Sequence, residues 1–500
     1  MSTNTTMRRI ASLKTVPDFQ SYLSELGLEL PCDARIQLQE ESPLAWPVKG
    51  CTFNGKQIGN RCVVHPMEGW DGTSQGGITE EVRQRWIKFG LSGAKLIFGG
   101  EALAVCEEGR ANPRQLLIAE SHRAGLSDLV ASLKQAHQQQ GWATDDLVVG
   151  FQLTHSGRFS RPNHSAKPEP IVAYRHPLLD QRVGVTDASQ VISDSQVERL
   201  VQRYADAALV ARDAGADFVD IKHCHGYLLH EFLGAKTRTG KYGGSFENRT
   251  RPLREIVQAI RASGNTLDLA VRLSAFDLVP FRPDPERSAP GKPGCGIPED
   301  FSPFLPYLYG FGLNSENPLE VDLSEPLQFL ELCAKLGIKI VNLSAGSPYY
   351  NPHIQRPAAY PPSDGYQPPE DPLAGVARQI QAARWLRERA PRELLLVGTG
   401  YTYLQDYLPH VAQAVVRNGW VDLVGIGRMV LSYPGFFADV LREGKLAGKK
   451  ICRTFSECTT APRLGLISGC YPLDPFYSQR EEAARLKGLK KSLSEAQPGS

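Results

Sequence analysis

Eight short apolar runs rich in β-branched residues recur along the chain, each followed by a longer stretch with helical periodicity. They read RCVVHPM, AKLIFGGEALAV, LVVGFQLTHSG, DFVDIKHCHG, LDLAVRLSAFD, KIVNLSAG, ELLLVGTG and VDLVGIGRMV. Parallel strands are buried on both faces and need helical crossovers, so this alternation is the signature of a parallel α/β protein. The intervening helices stand out in ESHRAGLSDLVASLKQAHQQ, DSQVERLVQRYADAALVARDAG, ENRTRPLREIVQAIRAS and EPLQFLELCAKLG, with Asp or Ser before a start and Gly after an end. Eight such units over roughly 370 residues predict a (β/α)8 TIM barrel rather than an open doubly wound sheet.

Two terminal extensions and two long loops fall outside the repeat. Residues 1–50 form an N-terminal extension, 51–447 the barrel, and 448–500 a C-terminal extension. A Pro/Gly-rich stretch from 279 to 320 makes a long loop after strand five, and SPYYNPHIQRPAAYPPSDGYQPPEDP makes another after strand six. In a barrel such loops sit on the catalytic face, where a lid or substrate wall is built.

The composition, 41% hydrophobic and 22% charged with a formal net charge of +2, is that of a globular chain without the electrostatic footprint of a nucleic-acid or membrane-surface binder. A small-molecule partner is expected. The N-terminus MSTNTTMRRIASLKTVPDF lacks a signal-peptide apolar core, and no stretch approaches the roughly 18 apolar residues of a membrane span. A cytoplasmic location is therefore expected, with most of the ten cysteines as reduced, packed thiols.

Side chains alternate across a strand, and one parity near several strand ends is polar: Gln152, Asp220 with Lys222, Arg272 with Ser274, and Asn342 with Ser344. A barrel interior is otherwise Val, Ile and Leu, so polar groups there imply either a ligand or a hydrogen-bonded plug at the mouth. Strand seven ends in Gly398-Thr399-Gly400 and strand eight in Gly425-Ile426-Gly427-Arg428. Small residues admit a phosphate to backbone N–H groups and Arg428 adds a fork of donors, which points to a phosphate-bearing cofactor.

HGYLL followed by RTGKYGGSFENRTR closely resembles the old yellow enzyme family of FMN-dependent barrel oxidoreductases. The likeness recurs, in the family's order, in IGNRCVVHPM, FQLTHSGR, AVRLSAFD and VGIGRMVLSYPGFFADV, from about residue 55 to 446. It implies Pro66 and Met67 beside the isoalloxazine edge, Gln152 on the pyrimidine ring and Arg272 near flavin N1/O2. Gly400, Gly427 and Arg428 would hold the phosphate. A cation near N1 stabilises the charge that arrives with reduction.

The same resemblance implies two donors at the end of strand four, three residues apart, that bind the substrate oxygen, and a tyrosine two residues on that supplies a proton. Those positions read Lys222, His225 and Tyr227. Lysine departs from the family's His or Asn there: it polarises an anion, pairs with Asp220 on its own strand face, or, if desolvated, forms a Schiff base. Glu68 departs as well, standing where the family usually has a small residue or Thr near flavin O4, and it turns away, is protonated, or moves a substrate proton. Trp70 and Asp71 in the same loop either shape the pocket or lie on the surface. His223 and Cys224 read as packing residues or as support behind the site.

The tail KICRTFSECTTAPRLGLISGC resembles the start of the iron–sulfur segment of 2,4-dienoyl-CoA reductase and trimethylamine dehydrogenase. Phe455 stands where a second ligand belongs, so Cys452, Cys458 and Cys470 fall one short of a cubane set and no metal is expected. The function implied is an enzyme using FMN and NAD(P)H to reduce an activated C=C bond, with Tyr227, His225 and Lys222 as catalytic residues. Oxidation of an amine or alcohol, redox-neutral double-bond isomerisation, and a catalytically dead flavin sensor stand as alternatives. Nicotinamide preference, substrate and a homo-oligomeric state stay open.

Overall fold

The computed structural model describes residues 7–289, 292–362 and 365–495; the remaining positions of the two extensions and the two long loops lie outside the described residues. Eight parallel strands form the centre: β1 (Cys62–Val64), β2 (Leu96–Ile97), β3 (Val148–Thr154), β4 (Phe218–His223), β5 (Asp268–Ser274), β6 (Ile340–Ser344), β7 (Leu395–Gly398) and β8 (Leu423–Ile426). Each pairs with the next, and β8 pairs back onto β1, so the sheet closes on itself. The eight runs in the sequence are these eight strands, and the (β/α)8 barrel is confirmed. The second run, AKLIFGGEALAV, is split: after β2 the chain bends at Gly99 and Gly100, both with positive φ, and Ala102–Ala104 pairs separately with β3.

The crossovers are α1 (Glu80–Gly90), α2 (Arg123–Gln139), α3 (Asp194–Asp213), α4 (Arg251–Ala262), α5 (Ser324–Lys335), α6 (Pro372–Arg389), α7 (Leu408–Arg417) and α8 (Phe436–Arg442). Their starts follow local chemistry. Ser193 caps α3 in a capping box with Gln196, and Asp371 caps α6 ahead of Pro372. In α4 the residues Leu253, Ile256, Val257 and Ile260 recur at helical spacing and are buried against the sheet. Burial of each such side chain stabilises the fold by about 1.5–3 kcal/mol.

Inside the barrel the two ends differ. At the N-terminal end Val148, Phe218, Ala270, Ile340, Leu395 and Leu423 form an apolar layer, closed by a hairpin of Thr52–Phe53 and Lys56–Gln57. Phe218 fills the axis between Phe53 and Phe98, at ring separations of 5.4 and 5.5 Å. Its bulk explains Gly150 on the facing strand, where a Cβ would lie 2.4 Å from the Phe218 ring. One turn of the pleat higher the same parity carries Gln152, Asp220, Arg272 and Asn342, so the core becomes polar toward the C-terminal mouth.

Beyond the barrel, helices Glu457–Arg463, Pro475–Ser478 and Glu481–Glu495 enclose a small apolar cluster around Leu466, Tyr471, Tyr477 and Leu486. Lys88 pairs with Asp474 and Arg480 with Glu81, which ties this segment to α1. Among the described residues no helix is long and apolar enough to cross a membrane.

Candidate active site

A cavity opens at the C-terminal mouth of the barrel. Pro66, Met67, Gln152, Lys222, His225, Tyr227, Arg272, Gly400, Gly427 and Arg428 all line it. They come from six strand ends spread over more than 360 positions, and barrel closure alone brings them together. His223 and Cys224 are buried outside the lining; the His223 ring lies 5.4 Å from Phe329, so both pack as expected.

The floor is set by strand register. Gln152 stands opposite Asp220, and its Nε2 donates to Asp220 Oδ2 at 2.5 Å. Burial pushes the Asp220 carboxyl up to about 7, against the opposing pull of that hydrogen bond and of Arg272. Asn342 Nδ2 donates to His65 Nδ1 at 3.0 Å, and Arg272 donates to the Pro66 carbonyl at 3.1 Å. His65 needs the space left by Gly425, where a Cβ would fall 2.0 Å from the imidazole. Arg272 Nε, His65 Nε2, Asn342 Oδ1 and Asp220 Oδ1 are buried with no partner from the protein. Buried polar atoms are rarely left so, and those of His65 and Arg272, the two of these residues that line the cavity, call for a polar ligand above them.

One wall is the turn after β4. His225 adopts φ +67°, a strained left-handed conformation for a residue with a side chain, followed by Gly226 at +79°. Three hydrogen bonds hold the turn: His225 N–H to Ser274 Oγ at 3.0 Å, Ser347 Oγ to the His225 carbonyl at 2.7 Å, and Gly226 N–H to His230 Nδ1 at 2.9 Å. The imidazole Nε2 lies 2.9 Å from Ser344 Oγ. Burial, then the charges of Arg272 and Lys222, push the His225 pKa well below its usual range, so the ring is neutral.

Lys222 does not pair with Asp220. Its ammonium lies 3.3 Å from Glu68 Oε2 and 3.8 Å from the centre of the Tyr227 ring. The two departures from the family pattern are thus one ion pair across the cavity. Glu68 Oε1 also accepts from Tyr227 Oη at 2.8 Å and from Trp70 Nε1 at 2.6 Å, and Tyr349 Oη lies 3.1 Å from Tyr227 Oη. Burial and the Glu68 carboxylate raise the Tyr227 phenol well above its usual range. The loop bearing Glu68 is anchored from behind: Arg85 on α1 holds Asp71 at 2.6–2.8 Å and Glu101 at about 3.0 Å, while Gly69 N–H donates to Glu101 at 2.9 Å. Asp71 therefore faces away from the cavity, and Trp70 lines it.

At the other end Arg428 meets Arg356 and Arg463, which the sequence reading did not single out. Arg356 comes from the loop after β6 and Arg463 from the C-terminal extension, neither with a local signal of its role. Burial, then the neighbouring Arg356, lowers the Arg428 guanidinium to about 9. Among the described residues, Glu68 is the one carboxylate on a lining that holds Lys222 and four arginines. Gly427 adds a cradle: a Cβ there would meet only the His65 Cβ, 3.8 Å away, so neither a tight turn nor a packing neighbour demands glycine. A phosphate-bearing flavin fits the set: the arginines would suit its anion, and the unpartnered nitrogens of His65 and Arg272 a polar ring edge. Cys458 lines the cavity beside Arg428, but among the described residues no group of three or more His, Cys, Asp or Glu is arranged to hold a metal ion.

A closed parallel barrel with this cationic, polar mouth defines an α/β-barrel enzyme built around an anionic cofactor. Residues 49–283 match the NADH:flavin oxidoreductase / NADH oxidase family. The NADPH dehydrogenase of Bacillus subtilis (strain 168) is 31% identical over 392 residues, 77% of this chain and 91% of that protein. Among solved structures, the fold is shared with a 2-naphthoyl-CoA reductase in complex with 2-naphthoyl-CoA, at TM-score 0.60 and 19% identity over 87% of this chain. This chain spans 57% of that one. The old yellow enzyme homologue from Zymomonas mobilis aligns at TM-score 0.51 and 21% identity, over 79% of this chain and 91% of its own. The chain belongs to the NADH:flavin oxidoreductase family, the old yellow enzyme family of the sequence resemblance. It is an oxidoreductase with FMN as cofactor and NAD(P)H as electron donor.

Proposed function

We propose that the protein reduces an activated C=C bond, taking its electrons from NAD(P)H, with Tyr227 as the proton donor. The observation that carries this reading is the convergence of Tyr227, His225, Gln152 and Arg272 on one cavity. FMN, when bound, supplies the hydride. Pro66, Met67, Gln152 and Arg272 hold its ring, and Gly400, Gly427 and Arg428 its phosphate. His225, neutral and pinned by its backbone, offers an N–H to the substrate's oxygen without placing a second full charge there. Lys222 acts through Glu68, whose charge it balances. Tyr349, stacked on Phe159 at 4.0 Å, and Trp70 cover the wall and exclude water.

We assign residues 1–50 to an N-terminal extension, 51–447 to the FMN-binding barrel and 448–500 to a C-terminal extension that completes the cavity with Arg463. The reading requires flavin absorption bands in the purified protein and NAD(P)H consumption matched one-to-one by loss of 2-cyclohexen-1-one. A protein with neither bound nor bindable FMN would end it. Tyr227→Phe is expected to slow reoxidation of the reduced enzyme by the enone about 100-fold or more while leaving reduction by NAD(P)H within a few-fold. Equal losses in both half-reactions refute the proton-donor role. A second reading, oxidation of an alcohol or amine, is favoured by the polarity of the Tyr227 hydroxyl, which donates to Glu68 and so is set to pass a proton inward. Anaerobic flavin reduction by such a substrate without NAD(P)H would establish it.

A further inference from the structure

The Glu68 carboxylate sits at the end of a one-way hydrogen-bond circuit. Tyr227 Oη donates to its Oε1 at 2.8 Å, Trp70 Nε1 donates to the same oxygen at 2.6 Å, and the Lys222 ammonium approaches Oε2 at 3.3 Å. Tyr349 Oη, 3.1 Å from Tyr227 Oη, supplies the hydroxyl that Tyr227 can accept from when its own proton is committed to Glu68. The groups facing Glu68 are therefore Lys222 from β4, Cys224 and Tyr227 from the turn after β4, Tyr349 from the loop after β6, and the Trp70 indole from its own loop. Side-chain exposure is 13% for Glu68 and 5% for Lys222.

This polarity poses a problem for a proton donor. If Tyr227 gave its proton to a substrate while Glu68 stayed ionised, a phenolate and a carboxylate would face each other at 2.8 Å in a buried site. Two like charges so placed do not both persist. We propose that Glu68 is the proton-relay residue of this enzyme: it reprotonates Tyr227 as Tyr227 protonates the substrate, and accepts the proton back when the reaction runs as an oxidation. The inference rests on the reading of Tyr227 as the proton donor and names its immediate source.

In the reductive direction the ionised Glu68 first takes a proton from solvent; that Glu68 O–H bond then breaks as a new O–H bond forms at the Tyr227 oxygen. The original Tyr227 O–H bond breaks and its proton joins the substrate carbon that carries the electron pair released from the double bond. The other carbon takes hydride equivalents originating from NAD(P)H. Glu68 ends as a carboxylate balanced by Lys222, and a solvent proton resets it. Access for that proton is provided by the partial exposure of the Glu68 side chain. Reduction then consumes one proton through Glu68, so its rate falls as pH rises, and oxidation runs the chain in reverse.

The test compares native enzyme with Glu68→Gln and Glu68→Asp, and with Glu68→Gln/Lys222→Met in case an unpaired buried ammonium impairs folding. Reduced holoenzyme is mixed with 2-cyclohexen-1-one in single-turnover reoxidation across pH. Glu68→Gln and the double variant are expected to be slowed about 100-fold or more and to lose the pH dependence. Glu68→Asp keeps the proton and recovers part of the rate. In flavin-free protein the Tyr227 phenol is titrated by its phenolate absorbance, isolated by subtraction of Tyr227→Phe. Removal of the Glu68 charge is expected to move that titration to lower pH. Reoxidation of Glu68→Gln within threefold of native with the same pH profile overturns the relay, as does an unmoved phenol titration. If native reduced enzyme is not reoxidised by enones at all, the ene-reduction reading falls and the relay with it, while the phenol titration still decides whether the Glu68 charge is coupled to the Tyr227 hydroxyl.

Discussion

Replacing Arg428 by methionine separates the two halves of a flavin in a way that tests the cavity's orientation. Arg428 lies with Arg356 and Arg463 at the strand-eight end of the lining, where the described residues place no carboxylate, and its guanidinium is lowered to about 9 by burial and by Arg356. A phosphate dianion there would accept the arginine's two-pronged fork. Charge-assisted hydrogen bonds contribute about 1.5–3 kcal/mol each, so losing two costs about 3–6 kcal/mol, which is roughly a 100-fold to 10,000-fold rise in Kd. Methionine keeps much of the side chain's length and apolar contact, so the loss reports the guanidinium and not a cavity. Kd for FMN and for riboflavin would be measured by fluorescence quenching on the flavin-free protein at fixed salt. Arg428→Met should weaken FMN by the amount above and leave riboflavin within threefold. The same substitution removes one of three crowded cations, so the flavin-free protein should be no less stable than native. Equal weakening of both ligands, or unchanged FMN affinity, refutes the placement of the phosphate at Arg428.

The Lys222–Glu68 pair makes a prediction about stability: Lys222→Met strands a buried carboxylate and should destabilise by about 3 kcal/mol, moderated by the donors from Trp70 and Tyr227. Glu68→Gln added to it should recover most of that loss in the denaturant midpoint; no recovery would mean the two residues are uncoupled. Asp220 makes a prediction about pH. Its carboxyl is raised from 3.8 to about 7, so its ionisation costs stability that is absent below about pH 4 and fully felt above about pH 7. Asp220→Asn should therefore gain on native protein between those limits, by up to about 4 kcal/mol. A stability difference that stays constant from pH 4 to 8 would contradict the assignment of that pKa to Asp220.

Much of this was legible in one dimension. The period-two alternation of each strand marked which residues face the barrel interior, and the change from Phe218 to Asp220 to Lys222 along one face already announced an apolar floor giving way to a polar mouth. His225 and Tyr227 were legible only through the family resemblance, and a single local turn sets their spacing after that strand. Where reading by strand parity went astray was in assigning partners. Asp220 and Lys222 share a face but lie two residues apart, a rise of roughly 6–7 Å. Asp220 is engaged by Gln152, its register neighbour on β3, which leaves Lys222 to reach across the mouth to Glu68.

Strand identity, order and the polar character of the mouth were thus determined by the sequence alone, because hydrophobic alternation and local turns act within a few residues. Tertiary structure alone decided that the two departures from the family pattern neutralise each other. It also brought Arg356 and Arg463 from a loop and the C-terminal extension to Arg428, and placed the Tyr349 hydroxyl against Tyr227. Each of those contacts joins residues from separate elements, many of them more than a hundred positions apart. The Lys222–Glu68 and Tyr227–Tyr349 contacts depend on separations of about 3 Å, and only closure of the barrel and folding of its long loops set distances on that scale.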